Sequence, residues 1–223
     1  NPSGVLKSED GGRTWKRKNR GITAFSGPSG DGIPVYSVTI DPNEPNNMWT
    51  GAQGIRGIYK STDGGETWTR KDKGIAEWSD ITVRGFAVKP GNSRFVLTAI
   101  ELSTGGRKNE IPKSGGRIYL TDDGGENWRS VWLGDALVQR ILFDHKNPTT
   151  VYACTGSFDR VSRDHDGKGF GLLKSTDGGY TWKQINNVPE CRWIHRTRCP
   201  SNLLNEKRRH DLFRWKKWTV QES

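Results

Sequence analysis

The chain has 223 residues, 31% of them hydrophobic and 27% charged, and its mean hydropathy is −0.81; no apolar run is long enough for a membrane span. Lys and Arg exceed Asp and Glu by ten, but nine of the basic residues and three of the acids fall in 191–223. Residues 1–190 therefore carry only +4, which is not the concentrated basic footprint of a nucleic-acid binder.

The first unit, residues 4–18, is an apolar lead-in at Val5 and Leu6 followed by Ser8-Glu9-Asp10-Gly11-Gly12-Arg13-Thr14-Trp15. It supplies two strands joined by a turn, and a Gly/Ser/Pro-rich connector follows at 27–32. The second unit, 34–72, is the most regular. Residues 35–40 alternate like a half-buried strand, 41–47 form a turn, and 48–51 a second strand. Strands at 57–60 and 67–71 then flank a second copy of the motif. The third unit repeats this with strands at 84–90 and 94–98, an insertion at 102–116, and a lead-in at Arg117-Ile118-Tyr119. The fourth has strands at 140–144 and 150–154, with Cys154 expected as a buried thiol, and an insertion at 157–169. Three cysteines, an odd number, argue against a disulfide framework. Residues 192–204 follow the pattern of 140–152, with Pro200 where Pro148 stands, but the motif centre is missing beyond them. The organisation expected is a repeat body at 1–190 and, at 191–223, a degenerate basic fifth unit or a frame-shifted tail.

The four motif copies share Ser/Thr-x-Asp-x-Gly-x-Thr/Asn-Trp, with the aspartates at 10, 63, 123 and 177. A period near fifty residues marks a repeat architecture. Four short up-and-down strands per period make one blade of a β-propeller. Within each copy the aspartate suits an Asx-type turn and the glycine pair suits positive φ. The tryptophans Trp15, Trp68, Trp128 and Trp182 are expected to bury their rings against a neighbouring hairpin. Four copies around one molecule point to a turn staple rather than to a catalytic acid.

These nonapeptides resemble Asp-box (BNR) repeats, the mark of sialidases, xyloglucanases, sortilin-type receptors and photosystem II stability factors. The resemblance implies an all-β propeller of about four blades plus a degenerate fifth, a fragment of a larger propeller. It also implies that the box turns lie on the face away from any active site. Sialidase chemistry is not implied, because the Arg-Ile-Pro signature is absent.

Both insertions join second to third strands, so they share a face with the inter-blade connectors, opposite the boxes. Long connections often carry function. Glycoside hydrolysis needs two carboxylates on such a face; the candidates are Glu77, Asp80, Asp135 and Asp159. Glu101, Glu110, Asp164 and Asp166 also lie in or beside these segments. Trp78, flanked by acids, is a candidate sugar-stacking ring. Arg84 and Arg140, on innermost strands nearly in register, are candidate ligand contacts that could equally pair with carboxylates. Asp164-His165-Asp166-Gly167 lacks the later acidic ligands of a calcium loop, and the four histidines lack zinc spacing, so no metal and no cofactor are expected. The partner expected on the loop face is a polysaccharide or a protein or peptide ligand. The compartment expected is extracytoplasmic, with no signal peptide in a chain that opens without Met. Two functions follow: a ligand-binding scaffold without a catalytic signature, or a glycoside hydrolase-like propeller.

Overall fold

The computed structural model describes residues 4–23, 32–54, 57–75, 81–102, 115–134, 137–156 and 171–185. Within them the chain is a succession of antiparallel strands. The first blade is represented by β1 (Leu6–Lys7) and β2 (Lys16–Arg17). The second holds β3 (Val35–Ile40), β4 (Met48–Gly54), β5 (Ile58–Ser61) and β6 (Thr69–Arg70). The third holds β7 (Ile81–Lys89), β8 (Asn92–Leu102), β9 (Gly115–Thr121) and β10 (Arg129–Gly134). The fourth holds β11 (Leu137–Phe143), β12 (Val151–Gly156), β13 (Leu172–Ser175) and β14 (Lys183–Ile185). Each four-stranded blade is a meander in sequence order. A short pairing of Gln53 with Thr82 and Gly54 with Ile81 also links β4 to β7, joining blades two and three into one sheet.

The cores lie between blades. Val5, Ile22, Ala52, Tyr59 and Trp68 fill the space between blades one and two. Trp49, Ile58, Val83, Phe86, Tyr119 and Trp128 fill that between two and three. Leu97, Ile118, Val138, Ile141, Phe143 and Leu173 belong to the core between three and four. Alternating side chains on every strand serve two neighbours, which is why both faces of the inner strands are apolar. Where a neighbour's strands are not among the described residues the pattern shows it: Tyr36, Val38 and Ile40, on one face of β3, are exposed. By register, Phe86 and Ile141 take the place of Val38 in the following blades, and both are buried against the blade before them.

In all four box turns the aspartate Oδ1 accepts from the backbone N–H four residues on and from the Ser or Thr hydroxyl two residues before. Oδ2 accepts from the side chain of Thr14, Thr67, Asn127 or Thr181. The tryptophans differ among themselves. Trp68 and Trp128 are buried and donate from Nε1 to the carbonyls of Lys18 and Lys71 in the preceding blade. Trp182 is half-buried and Trp15 is 60% exposed, each donating to its own turn at Gly179 and Gly12. Trp15 is thus not a core residue: no described strand precedes its hairpin to receive the ring.

Cys154 also departs from expectation. It is half-buried and disulfide-bonded rather than a buried thiol. An odd cysteine count excludes complete pairing but not a single bridge. The chain's other cysteines, Cys191 and Cys199, lie outside the described residues.

Candidate functional site

The first strand of each blade starts at the loop face and ends in the turn toward the box face. Near its start each of β3, β7 and β11 carries a register shift against its partner, between Val35 and Ser37, Val83 and Gly85, and Val138 and Arg140. The extra residues are Tyr36, Arg84 and Gln139. A bulge inserts an unpaired residue and re-aims its side chain, and such bulges gather beside functional sites. The three bulged residues therefore form an arc at one level, on the innermost strands, at the loop-face end.

Arg84 is the centre of this arc. Its Nε donates to Glu101 Oε2 at 2.5 Å and its Nη2 also pairs with that oxygen. Glu101 comes from the far end of β8, beside the third-unit insertion, and is only 7% exposed. The Arg84 guanidinium lies over the Tyr36 ring, 4.9 Å from its centroid. Tyr36 itself remains 50% exposed. Desolvating an ion pair is costly, and an Arg–carboxylate pair in contact offsets much of that cost. The result is a fixed cation with an aromatic ring beside it, on the face of β3 that no described strand covers.

Arg140, expected nearly level with Arg84, takes the register position of Gly85 instead, and is exposed. The true counterpart of Arg84 in blade four is Gln139. Glu77, Trp78, Asp80, Asp135 and Asp159 lie outside the described residues, as do Glu110, Asp164 and Asp166. Tyr36 and Gln139 were missed by sequence reasoning. The signal that could have found Tyr36 is its place two residues into a strand whose other outward residues, Val38 and Ile40, are aliphatic. Among the described residues no group of three His, Cys, Asp or Glu side chains is placed to hold a metal ion. Among them, too, no helix is long and apolar enough to cross a membrane.

The box carboxylates, at the other end of the blades, are strongly stabilised as anions. Hydrogen bonds from the Thr14 hydroxyl and backbone, and from Ser8, hold Asp10 at about 2. The equivalent bonds to Asp63, led by the Thr67 hydroxyl, hold it well below the usual carboxylate range. At Asp123 and Asp177 burial pushes upward, but donation from Asn127 and Thr181 outweighs it and these groups are lowered too. Anions tied this tightly into turns are poor proton donors.

The model of the family described as Sortilin, neurotensin receptor 3 (Sortilin-Vps10) matches residues 56–217, more than half of the chain. The chain belongs to the Sortilin-Vps10 family. Within this Asp-box family its sequence is similar to an oligoxyloglucan-reducing end-specific xyloglucanase of Emericella nidulans, 32% identical over 205 residues. That match covers 83% of this chain and 25% of the relative. A xyloglucanase of Hypocrea jecorina is 26% identical over 145 residues, covering 60% of this chain and 15% of the relative. The chain thus spans about a quarter or less of these relatives' length. Among solved structures, an ancestral GH74 enzyme superposes with a TM-score of 0.58 at 25% identity, over 82% of this chain and 21% of that one. The GH74 xyloglucanase of Xanthomonas campestris gives 0.56 at 15% identity, covering 82% and 27%, a likeness of fold alone. This Sortilin-Vps10 member is accordingly an all-β propeller scaffold related to GH74 xyloglucanases.

Proposed function

We propose that the loop face of this chain binds a xyloglucan-type polysaccharide, as a ligand-binding segment of a xyloglucanase-like propeller working outside the cytoplasm. The observation that carries the reading is the arc centred on Arg84, whose guanidinium is fixed by Glu101 and lies over the Tyr36 ring at the loop-face end. Sugar rings present apolar C–H faces that stack on aromatic side chains, and a ring held in place loses little entropy on binding. The named substrate of the relatives supports the ligand class. The disulfide at Cys154 supports an oxidising compartment. Trp78 would add a second stacking surface, and Arg140 an exposed donor for sugar hydroxyls.

The test is affinity electrophoresis through gels containing xyloglucan, with unsubstituted glucan and a sialoside polymer as controls. Retardation in xyloglucan alone is expected, and Tyr36→Ala should weaken it about tenfold, for one stacking contact of about 1.4 kcal/mol. Equal mobility in all gels would remove the reading. A second reading, hydrolysis through Glu77, Asp80, Asp135 or Asp159, is favoured by the activity named in the relatives. It predicts reducing ends released from xyloglucan that one of the four alanine variants abolishes; no release from any substrate leaves binding alone.

A further inference from the structure

We infer that the box face carries a second sugar site, where blades three and four meet, and that it takes a polyuronate, a polysaccharide with a carboxylate on each ring. The argument starts from what the other junctions do at this level. In boxes two and three the residue before the final Thr-Trp or Asn-Trp is an acid, Glu66 or Glu126. Each pairs with a lysine of the preceding blade, Lys18 or Lys71, three residues past that blade's box tryptophan. Between blades three and four both partners are changed. Val131 stands at the lysine's place and Tyr180 at the acid's. Val131 packs against the interblade core, but Tyr180 stays 45% exposed. That exposure belongs to the position itself. Glu66 and Glu126 are exposed too, and each has described strands of a blade on either side.

Tyr180 lies in a row of rings and cations. Its ring meets that of Phe95 in blade three edge to face, with centroids 5.6 Å apart and planes at 72°. The Arg129 guanidinium lies over it, with Cζ 5.6 Å from the centroid. At the other end of the aromatic pair the Lys89 ammonium is 4.9 Å from the Phe95 centroid, and it lies beside the turn at Gly178. The Tyr180 N–H donates to Asp177 at 3.0 Å, and Arg129 Nη2 donates to Asp122 at 2.7 Å. The turn that carries the ring and the cation over the ring are therefore both held. The bond to Asp122 uses one of the five N–H donors of the guanidinium. Among the described residues Lys89 pairs with no carboxylate. An ion pair that closes the other junctions is thus replaced here by an open ring with a cation at each end of the pair.

A ligand for this row must satisfy the ring and the cations together. A neutral glucan could stack on Tyr180 but would leave the cations to water. An acidic peptide could pair the cations but brings no rigid apolar face to the ring. A uronate residue joins both on one ring. Its C–H face stacks on an aromatic side chain, and its carboxylate accepts charge-assisted hydrogen bonds from Arg129 or Lys89. A chain with a carboxylate on every residue can meet both ends of the row. Because the ring and Arg129 are already held, little side-chain entropy is lost on binding. None of these residues belongs to the arc on the loop face, so the two sites stand or fall separately.

The test is affinity electrophoresis of the full chain through gels containing polygalacturonate, with its methyl ester, polyglutamate and xyloglucan as comparison polymers. Retardation is expected in polygalacturonate and should be about tenfold weaker in the methyl ester and in polyglutamate. Tyr180→Ala should weaken it about tenfold, for the loss of one stacking contact, and Tyr180→Phe should keep it. Tyr180→Glu, which restores the residue of the second and third boxes, should abolish it at the parent's Tm. If that variant melts lower, Lys89→Gln, outside the box, decides: weaker retardation supports the site and unchanged retardation overturns it. Equal retardation in polyglutamate would reduce the effect to charge alone, for which the basic segment 191–223 suffices, and would overturn the inference. So would a parent chain that is not retarded, or a Tyr180→Ala chain retarded like the parent. Xyloglucan retardation reports the loop face and should be the same in every variant, so the failure of either reading leaves the other standing.

Discussion

Asp63 shows how one side chain closes a turn. It accepts the Thr67 backbone N–H at 2.9 Å, the Thr67 hydroxyl at 2.5 Å and the Ser61 hydroxyl at 2.7 Å. Charged hydrogen bonds are worth more than neutral ones, but these are solvent-screened, so Asp63→Ala should cost about 1–2 kcal/mol in urea unfolding. The pH dependence follows in sign. The folded-state values of Asp10, Asp63, Asp123 and Asp177 are all depressed. Their contribution is present above the unfolded carboxylate value, about 3.9, and is lost as pH falls through the folded values. Calorimetry should therefore find a flat Tm from pH 7 to about 5 and a steep fall below about 4, and Asp63→Asn should shallow that fall. At the other end of the blades, Glu101→Gln removes the charge that pairs Arg84. Leaving a largely buried guanidinium without its carboxylate should cost about 3 kcal/mol. It should also loosen Tyr36 and weaken polysaccharide binding.

Consecutive elements are latched by a device that recurs in the sequence. Trp68 N–H donates to the Arg20 carbonyl and Trp128 N–H to that of Lys73, so the box of one blade bonds the end of the blade before it. Beside these bonds Lys18 pairs with Glu66, and Lys71 with Glu126. Gly21 and Gly74 make the approach possible. Each has positive φ, and a Cβ would stand 2.0 Å from the Trp68 carbonyl oxygen or 2.1 Å from that of Trp128. Gly74→Ala should therefore lower stability by more than about 1 kcal/mol, combining left-handed backbone strain with a lost interblade bond. Gly91→Ala, with positive φ but open space around it, should show the strain alone; thermal melts of the two variants would separate these contributions. The six-residue spacing from Trp15 to Gly21 recurs from Trp68 to Gly74. Hairpins were legible because each box packs its turn chemistry into nine contiguous residues. The Arg84–Glu101 partnership and the bulges were not, since a one-residue register shift depends on the strand opposite. Trp15 was misread for the same reason, since the burial of its ring depends on a neighbouring blade; the pairing of Cys154 depends on a cysteine distant in the sequence.

The molecule as a whole is a row of interblade cores, each shared by two adjacent blades. Stability in such an array is approximately a sum of unit and neighbour terms. Damage at one interface should then spread to its two blades before it reaches the rest. Ile118 is fully buried between blades three and four, and Ile118→Ala should cost about 2–5 kcal/mol there. The blade one–two core around Ala52, Tyr59 and Trp68 touches none of these side chains. Hydrogen exchange in this variant should accelerate together at Val151, Ala153 and Leu173 while Ala52 and Tyr59 keep their protection. If all of these amides accelerated equally, the blades would be unfolding as one cooperative unit, and the row-of-interfaces account would fail. The same locality bears on function. The arc of Tyr36, Arg84 and Gln139 draws one residue from each of three blades, so its spacing is set by the two interfaces between them. Ile118→Ala should displace Gln139 relative to Arg84 and leave the Tyr36–Arg84 contact intact. Xyloglucan binding that rests on Tyr36 would then survive a substitution that loosens blade four.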